Sequence, residues 1–477
     1  MEQEGLMRSA PATGGYDLPD PLTLPEEGVR PPIVVNEILR KDAVPPPANL
    51  LEDPHNTLGT DPIPASRYFS EEFFELERAK LWPKVWQFAC WGQDIPNPGD
   101  THVYRIMKRS VLIIRQRDGS VKAFVNACLH RGAELCETHT HKAELKCPYH
   151  YFTWGLDGDL KWVPSKWDFP QLNGRKFNLP EVRLEEWNGF LFINFDKDAP
   201  SLETYMGRFA EHWKVWDFSK RYKAVHVQKR IQCNWKNGLD AFIEGFHAFA
   251  SHGQGASVVP DDCSQVDIYP DSPHMSRFQI PMGYPSPRIH PAPPPEETFE
   301  MLCAGFLPEA LGTEEGRIKP GEDSRAASAR IARLSYEKNF GISADKLSTA
   351  EALDAISYFL FPNFMPWPCL SFPLVYRFRP AESPDWCIWD TMLFLPFSGE
   401  RPPSAETIEL GPDDPLEDIA ALGGLALVLH QDAMQLPSVQ RGQQNLVDGN
   451  LMLTEYQELR IRHYHKTLEH YLGLGKD

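Results

Sequence analysis

Between residues 128 and 150 the chain sets two thiols and two imidazoles on two short arms. The first reads Cys128-Leu129-His130, sixteen residues intervene, and the second reads Cys147-Pro148-Tyr149-His150. Each arm carries one Cys and one His. Two Cys on one iron and two His on the other is the donor set of a mixed-ligation [2Fe–2S] cluster, and the ligand types alternate because each loop must reach both irons. A zinc site spaces its paired ligands by two to four residues, and Cys-x-His is tighter. Chance drawn from nine Cys and sixteen His does not readily yield both spacings beside His130-Arg131-Gly132. Cys136 lies between the arms and is a bystander, since the four ligand positions are filled.

A second constellation lies at residues 234–253. Glu244 and His247 are three apart and share a face if the segment is helical, while His252 lies five beyond His247 and off that face. For both His to hold one metal, the helix must unwind or end near His252, and Gly253 is a fitting terminator. Two His and a distant carboxylate, with open positions, form the facial arrangement of non-haem Fe(II) that activates O2. His-x4-His alone would describe a pair of core histidines better; the upstream arms reverse that balance. The late carboxylate is Asp432, a single acid in an apolar stretch, whereas Glu417 and Asp418 read as first-turn charges.

Residues 128–150 closely resemble the Rieske motif, and residues 234–253 resemble the mononuclear-iron motif of Rieske non-haem iron ring-hydroxylating oxygenase large (alpha) subunits. The resemblance runs from about residue 64 to the C-terminus, thinning in the Pro-rich middle. It implies an α+β chain: an antiparallel β Rieske [2Fe–2S] domain, then a helix-grip (START-like) catalytic domain with an antiparallel sheet and helices. It places Cys128, His130, Cys147 and His150 on the cluster, and His247, His252 and Asp432 on a mononuclear Fe(II), with a Gln-rich stretch (residues 440–444) after the acid. Glu244 falls where the family puts a carboxylate joining the two centres across a subunit boundary; Asp240, one turn earlier, is the alternative link. That arrangement implies a head-to-tail homotrimer, with a small beta subunit as an open question. One departure is Tyr151-Phe152-Thr153-Trp154, where the family commonly has a small residue and then Trp. Bulk beside the second His is expected to alter its exposure or the cluster's potential.

The implied function is a terminal oxygenase component. It takes electrons from a ferredoxin and/or an NAD(P)H-dependent reductase and uses O2 to hydroxylate an organic, aromatic substrate. No FAD, NAD or further ferredoxin motif is evident, so the donors are external. An oxidative O- or N-demethylase is the alternative within enzymes, and a Rieske electron carrier fused to a hydrophobic-ligand-binding domain is the alternative outside them. Phe242, Phe246 and Phe249 are candidate pocket residues, with Leu425 or Met434 opposite.

The net charge of −18 argues against nucleic acid and against an anionic membrane surface as partners. Between Arg131 and Lys176 seven Lys/Arg meet six Asp/Glu, a near-neutral region that suits a small acidic redox partner. Residues 1–20 lack the pattern of a signal peptide, no apolar run is long enough for a membrane helix, and nine Cys suit a reducing cytoplasm. At 477 residues the chain divides into a Pro-rich extension (1–60), disordered or wrapped on a neighbour, the Rieske domain (61–200) and the catalytic domain (201–477). Expected elements are a helix capped by Ser70 and running to about Leu81, and a hairpin of residues 111–114 and 121–125 about Asp118-Gly119. Further strands are expected at 190–195, 374–379 and 386–394. Helices are expected at 323–338 and 418–434, and from Thr454 with Gln457 closing its cap. Residues 284–296 read as a surface loop.

Overall fold

The computed structural model describes residues 34–54 and 56–475. The N-terminal extension expected at 1–60 falls outside them up to residue 33. From residue 34 onward it docks on its own chain. A short helix Val35–Leu39 buries Val35 and Leu39. Asn49 donates through Nδ2 to the His212 carbonyl at 3.1 Å and to the Tyr358 hydroxyl at 3.3 Å.

Ser70 caps the next helix as expected, its Oγ accepting from the Phe73 N–H, and the helix continues to Leu81 through a wider last turn. This segment is tied to the catalytic half. Glu77 and Lys236 form a fully buried pair at 2.6 Å, and Trp235 Nε1 donates to the same carboxylate. Burial pushes Glu77 up and Lys236 down, and each charge offsets the shift of the other.

The β domain is a seven-stranded antiparallel sheet, in spatial order Gln87–Trp91, Phe190–Asn194, Glu181–Trp187, Val121–Val125, Arg109–Arg115, Asp100–Ile106 and Thr140–His141. The expected hairpin is at its centre, with Val111 opposite Val125 and Gly119 supplying the positive φ its turn requires. Phe190–Asn194 is buried at every position, which accounts for its unbroken apolar run. A smaller sheet, Leu145–Lys146, Thr153–Trp154 and Leu160–Trp162, carries the second arm.

The catalytic domain is built on a sheet ordered Met365–Pro366, Leu374–Pro380, Cys387–Pro396, Arg221–Ile231 and Ile408–Leu410, the last parallel to its neighbour and the others antiparallel. Helix Trp235–Ile243 lies directly on it. A Cβ at Gly238 would come within 2.7 Å of the Phe378 ring, so glycine is what permits that approach. The α+β expectation is met.

Three boundaries differ from the sequence expectations. The helix expected at 418–434 begins at Leu425 and runs to Gln443, because Gly423, at φ 56, separates it from two 3-10 turns and Pro437 is tolerated inside it. The last helix is Leu459–Leu472, and the reciprocal cap joins Thr454 to Glu458 rather than to Gln457, which donates to Asp262 instead. Past the loop at 284–294, Pro295–Phe306 is a helix. Its Phe299 and Cys303 pack on Ala327 and Ile331 of helix Ser324–Phe340, which Asp323 caps by accepting from the Ala326 N–H. No helix among the described residues is long and apolar enough to cross a membrane.

Candidate metal centres

The two arms close in the same way. Cys128 accepts at its carbonyl from Gly132 N–H and donates its own N–H to Ala133, at 2.8 Å each. Cys147 accepts from Tyr151 N–H and donates to Phe152, at 3.0 and 2.9 Å. Each loop therefore turns through a left-handed residue, Gly132 at φ 84 and Tyr151 at φ 60. The result is a facing pair of fingers that bring the His130 and His150 rings to a centroid separation of 4.6 Å, with both thiols buried beside them.

This arrangement fits a [2Fe–2S] cluster. His130 Nδ1 is a buried atom with no hydrogen-bond partner among the described residues, as a nitrogen reserved for a metal would be. Burial, His150 and Arg131 hold His130 below the ordinary imidazole range, in the neutral form that binds metal. Burial raises the Cys128 thiol, and the neighbouring Cys147 adds to that, so the pair ionises readily only against a cationic partner.

Of the bulky residues after the second His, Phe152 stacks on His130, the first His, at 4.8 Å and 17°, while Tyr151 is exposed. A tyrosine in the left-handed region costs about 1 kcal/mol relative to glycine. Tyr151→Gly is therefore expected to stabilise the second arm by about that amount, seen as slower bleaching of the cluster's visible absorption in denaturant. An unchanged or faster loss would mean that the Tyr151 ring contributes a contact that outweighs the backbone term.

At the second centre helix Trp235–Ile243 ends one residue before Glu244, which is extended at φ −133 and ψ 164. Glu244 and His247 therefore meet across a turn and not along a helix face. Glu244 Oε1 accepts from His247 Nδ1 at 2.5 Å, and Oε2 accepts the N–H groups of Phe246 and His247. A single helical turn, Ala248–Ser251, then delivers His252. Asp432 faces this loop from helix Leu425–Gln443, with Oδ1 at 3.0 Å from His252 Nε2 and 3.5 Å from His247 Nε2.

The fit to a metal is geometric. One donor atom each from His247, His252 and Asp432 lies within 4.8 Å of the other two, and both imidazoles have Nδ1 engaged, leaving Nε2 for the ion. For His252 the Nδ1 partner is Gln431 Oε1 at 2.8 Å, in turn held by Gln254. Burial opposes charge on His247, but Asp432 and Glu244 on either side raise it to about 10. Burial would raise Asp432 too, yet hydrogen bonds from both imidazoles hold it below the usual carboxylate range. Two carboxylates thus serve two imidazoles, a charge balance suited to a dication.

Gln431 escaped the sequence reading. Its only signal was a polar side chain next to the acid on a helix that also faces the His pair. Gln431→Leu is expected to weaken iron binding about tenfold with the cluster spectrum unchanged, measured by iron retention against a competing chelator. Asp240, the alternative link, is occupied otherwise: the Tyr68 and Tyr464 hydroxyls donate to it at 2.7 and 2.6 Å, and burial raises its pKa to about 7.

The loop also divides the pocket candidates. A cavity of about 140 Å3 opens beside His247, His252 and Asp432, walled by Phe242, Phe278, Trp367, Phe372 and Tyr376, with Leu425 opposite. Phe246 and Phe249 do not join it. They face Arg288, whose guanidinium lies over their rings at 5.3 and 5.7 Å. Met434 is 66% exposed and also lies outside it; from Asp432 it is two residues on, too small a step along a helix to share a face. Glu244, His247 and Asp432 also border a second groove of about 330 Å3 with a mixed lining, Asn237, Asp240 and Glu458 beside Val439, Leu451 and Met452.

A β domain with paired Cys/His arms, ahead of an α+β domain with two imidazoles and a carboxylate, defines a two-centre iron oxidoreductase. Residues 85–173 match the Rieske [2Fe-2S] domain, and residues 216–474, more than half the chain, match the ring hydroxylating alpha subunit (catalytic domain). This chain belongs to the ring-hydroxylating alpha-subunit family. It is 31% identical over 242 residues to the carnitine monooxygenase oxygenase subunit of Escherichia coli (strain K12), covering 50% of this chain and 61% of that protein. It is 30% identical over 193 residues to the glycine betaine monooxygenase oxygenase subunit of Pseudomonas aeruginosa (strain UCBPP-PA14), covering 40% and 44%. Over 212 residues it is 30% identical to the chlorobenzene dioxygenase subunit alpha of Cupriavidus sp. (strain PS12), covering 43% and 47%. The chain thus spans less than two thirds of the length of each of these curated relatives.

Among solved structures, a quaternary ammonium Rieske monooxygenase in complex with L-carnitine superposes with a TM-score of 0.60 at 18% identity, covering 86% of this chain and 96% of that one. Naphthalene 1,2-dioxygenase from Rhodococcus sp. gives 0.59 at 21%, covering 87% and 95%. At these identities the likeness is one of fold.

Proposed function

We propose that the chain is the terminal oxygenase of a multicomponent system, hydroxylating an apolar, aromatic substrate with O2 and with electrons from a ferredoxin and/or an NAD(P)H-dependent reductase. The observation that carries this reading is that Glu244, His247 and Asp432 line both an apolar cavity and a second, wider groove of mixed lining. The cavity receives substrate and the groove is open to an electron donor. When bound, the cluster supplies electrons and the mononuclear iron activates O2. Cys128, His130, Cys147 and His150 hold the former, and His247, His252 and Asp432 hold the latter. Phe242, Trp367 and Tyr376 orient an aromatic ring and exclude water from the cavity side. Glu244 fixes the His247 tautomer and presents its carboxylate to the groove.

The donor we place in that groove is the cluster arm of a neighbouring subunit in a head-to-tail homotrimer, with Tyr149, Tyr151 and Trp167 exposed on the docking tip. Mixing a Cys147→Ser subunit with an Asp432→Ala subunit is then expected to restore activity in mixed oligomers that neither variant shows alone. No recovery in verified mixed oligomers would place the electron route within one subunit. The exposed Arg131, Lys161, Lys166, Arg175 and Lys176 suit an acidic ferredoxin, and nine cysteines in a chain with cluster-type spacing suit the cytoplasm.

N-demethylation of an organic cation is the second reading. The ring faces of Phe278, Trp367, Phe372 and Tyr376 that line the cavity suit a quaternary ammonium group, and two of the relatives are named for such substrates. Against a betaine, no Lys or Arg among the cavity's described lining residues would take the carboxylate. Turnover of a compound panel with a surrogate ferredoxin and reductase, read by mass spectrometry, separates the two: ring hydroxylation yields an oxygenated arene and demethylation releases formaldehyde. Absence of iron at His247/His252 together with no substrate-coupled O2 uptake would leave an electron carrier instead.

A further inference from the structure

A second cluster of ionisable side chains sits at the seam where strand Asp100–Ile106 of the β domain meets the catalytic sheet. It encloses a cavity of about 150 Å3, bordered by His102, His139, Gln228, Arg377 and Arg379, with Glu137 and Glu409 also on its lining. This site goes beyond the oxygenase reading and does not depend on it.

The charges do not balance. Asp390, fully buried, accepts on Oδ1 from His226 Nε2 and Gln228 Nε2, both at 2.9 Å. On Oδ2 it accepts from Arg377 Nε at 2.8 Å and from Arg379 Nε and Nη2 at 3.3 and 3.2 Å. One carboxylate therefore serves two buried guanidiniums. The nearby Lys223 and Asp94 neutralise each other at 2.6 Å, so neither alters this imbalance. Arg105 likewise closes a two-pronged pair with Glu134. Glu137 and Glu409 are exposed and form no ion pair with either arginine among the described residues.

The donors do not balance either. Arg377 spends Nε on Asp390 and Nη1 on the carbonyls of Phe88 and Ala89, which leaves Nη2 without a partner among the described residues. His139 accepts the Val103 N–H on Nδ1 at 3.1 Å, so its proton sits on Nε2. His102 is 7% exposed, its ring stacks on His139 at 4.0 Å, and no hydrogen bond engages that ring among the described residues. Burial holds His102 well below the ordinary imidazole range, and His139 and Arg377 push the same way, so it is a neutral donor and not a further cation. Water could accept from these groups but would bring no countercharge to the unmatched guanidinium, and unpaired buried charge is costly.

We propose that this cavity binds a small oxyanion, with Arg377 as its countercharge and His102 and His139 as neutral donors. Inorganic phosphate and a short carboxylate such as acetate share the required chemistry. Bound there, the anion would join the two domains by bonding groups from each.

The test is calorimetric titration of the holoenzyme with phosphate, acetate and chloride at matched ionic strength, with melting curves alongside. Saturable binding of phosphate or acetate, absent for chloride, is the expected result, and whichever oxyanion binds identifies the source. Glu137→Gln/Glu409→Gln alters only exposed side chains and removes two like charges, so it should tighten binding roughly fivefold. His139→Phe keeps the stack on His102 but removes the Nε2 donor, along with the acceptor of the Val103 N–H, so it should weaken binding about tenfold. Identical responses to all three salts, or an affinity that the Glu137/Glu409 variant leaves unmoved, would overturn the proposal.

Discussion

Asp432→Ala is expected to strip the mononuclear iron while leaving the cluster's visible and EPR signatures intact. Asp432 Oδ1 lies within reach of both imidazoles, and two His alone make a poor cage for a hard dication. Iron affinity should fall by roughly 100-fold or more and turnover with it. Helix Leu425–Gln443 should survive, because it is bound elsewhere: Gln440 and Gln443 hold Asn234 and Asn237 through four hydrogen bonds. The matching control is Cys147→Ser, which should lose the cluster signature. Full iron occupancy with normal turnover in Asp432→Ala would remove this acid from the site.

Glu244→Ala carries the other large effect, and it falls on rate rather than on occupancy. The carboxylate pins His247 and accepts two backbone N–H groups of the turn, so its loss should lower iron affinity about tenfold, an amount that added iron can restore. With both centres loaded, oxidation of the pre-reduced cluster in a single turnover should still be slowed by about 100-fold. Glu244→Gln keeps the acceptor for His247 but not the charge, and should fall between. Wild-type cluster oxidation in iron-replete Glu244→Ala would show that the link between centres runs elsewhere. Iron loss that no added metal restores would recast Glu244 as a ligand.

What could be read in advance divides along physical lines. The arms were legible because Cys and His in tight loops carry their chemistry locally; His247 and His252 were legible only beside those arms, since their own spacing is weak. Asp432 was legible because one acid stood in an apolar stretch. The orientation of Phe246 and Phe249 was not, since it depends on Arg288, some forty residues away in sequence, which offers their rings a cation. Nor was the end of the helix at Ile243. The sequence there suits a helix, but the turn is held by Glu244 accepting two N–H groups, a tertiary bargain that helical periodicity does not encode. Gln431 was missed for a related reason: an amide becomes a support for His252 only when two distant segments are brought face to face.

The strand that leads into the β domain, Gln87–Trp91, lies beside the strand that leaves it, Phe190–Asn194, with Phe88 opposite Phe192. The segment before it is fastened to the catalytic half by Glu77 on Lys236 and by Arg67 on Glu469. The electron-accepting unit is thus a graft whose two cut ends meet, set into a host that begins upstream of it. Exchange of this unit between relatives should succeed when the transplant runs from about Trp86 to Pro200 and the recipient keeps its own residues 34–81. A simple head-to-tail fusion cut only near residue 200 would bring a foreign acid, or none, to Lys236 and leave a buried ammonium without its partner.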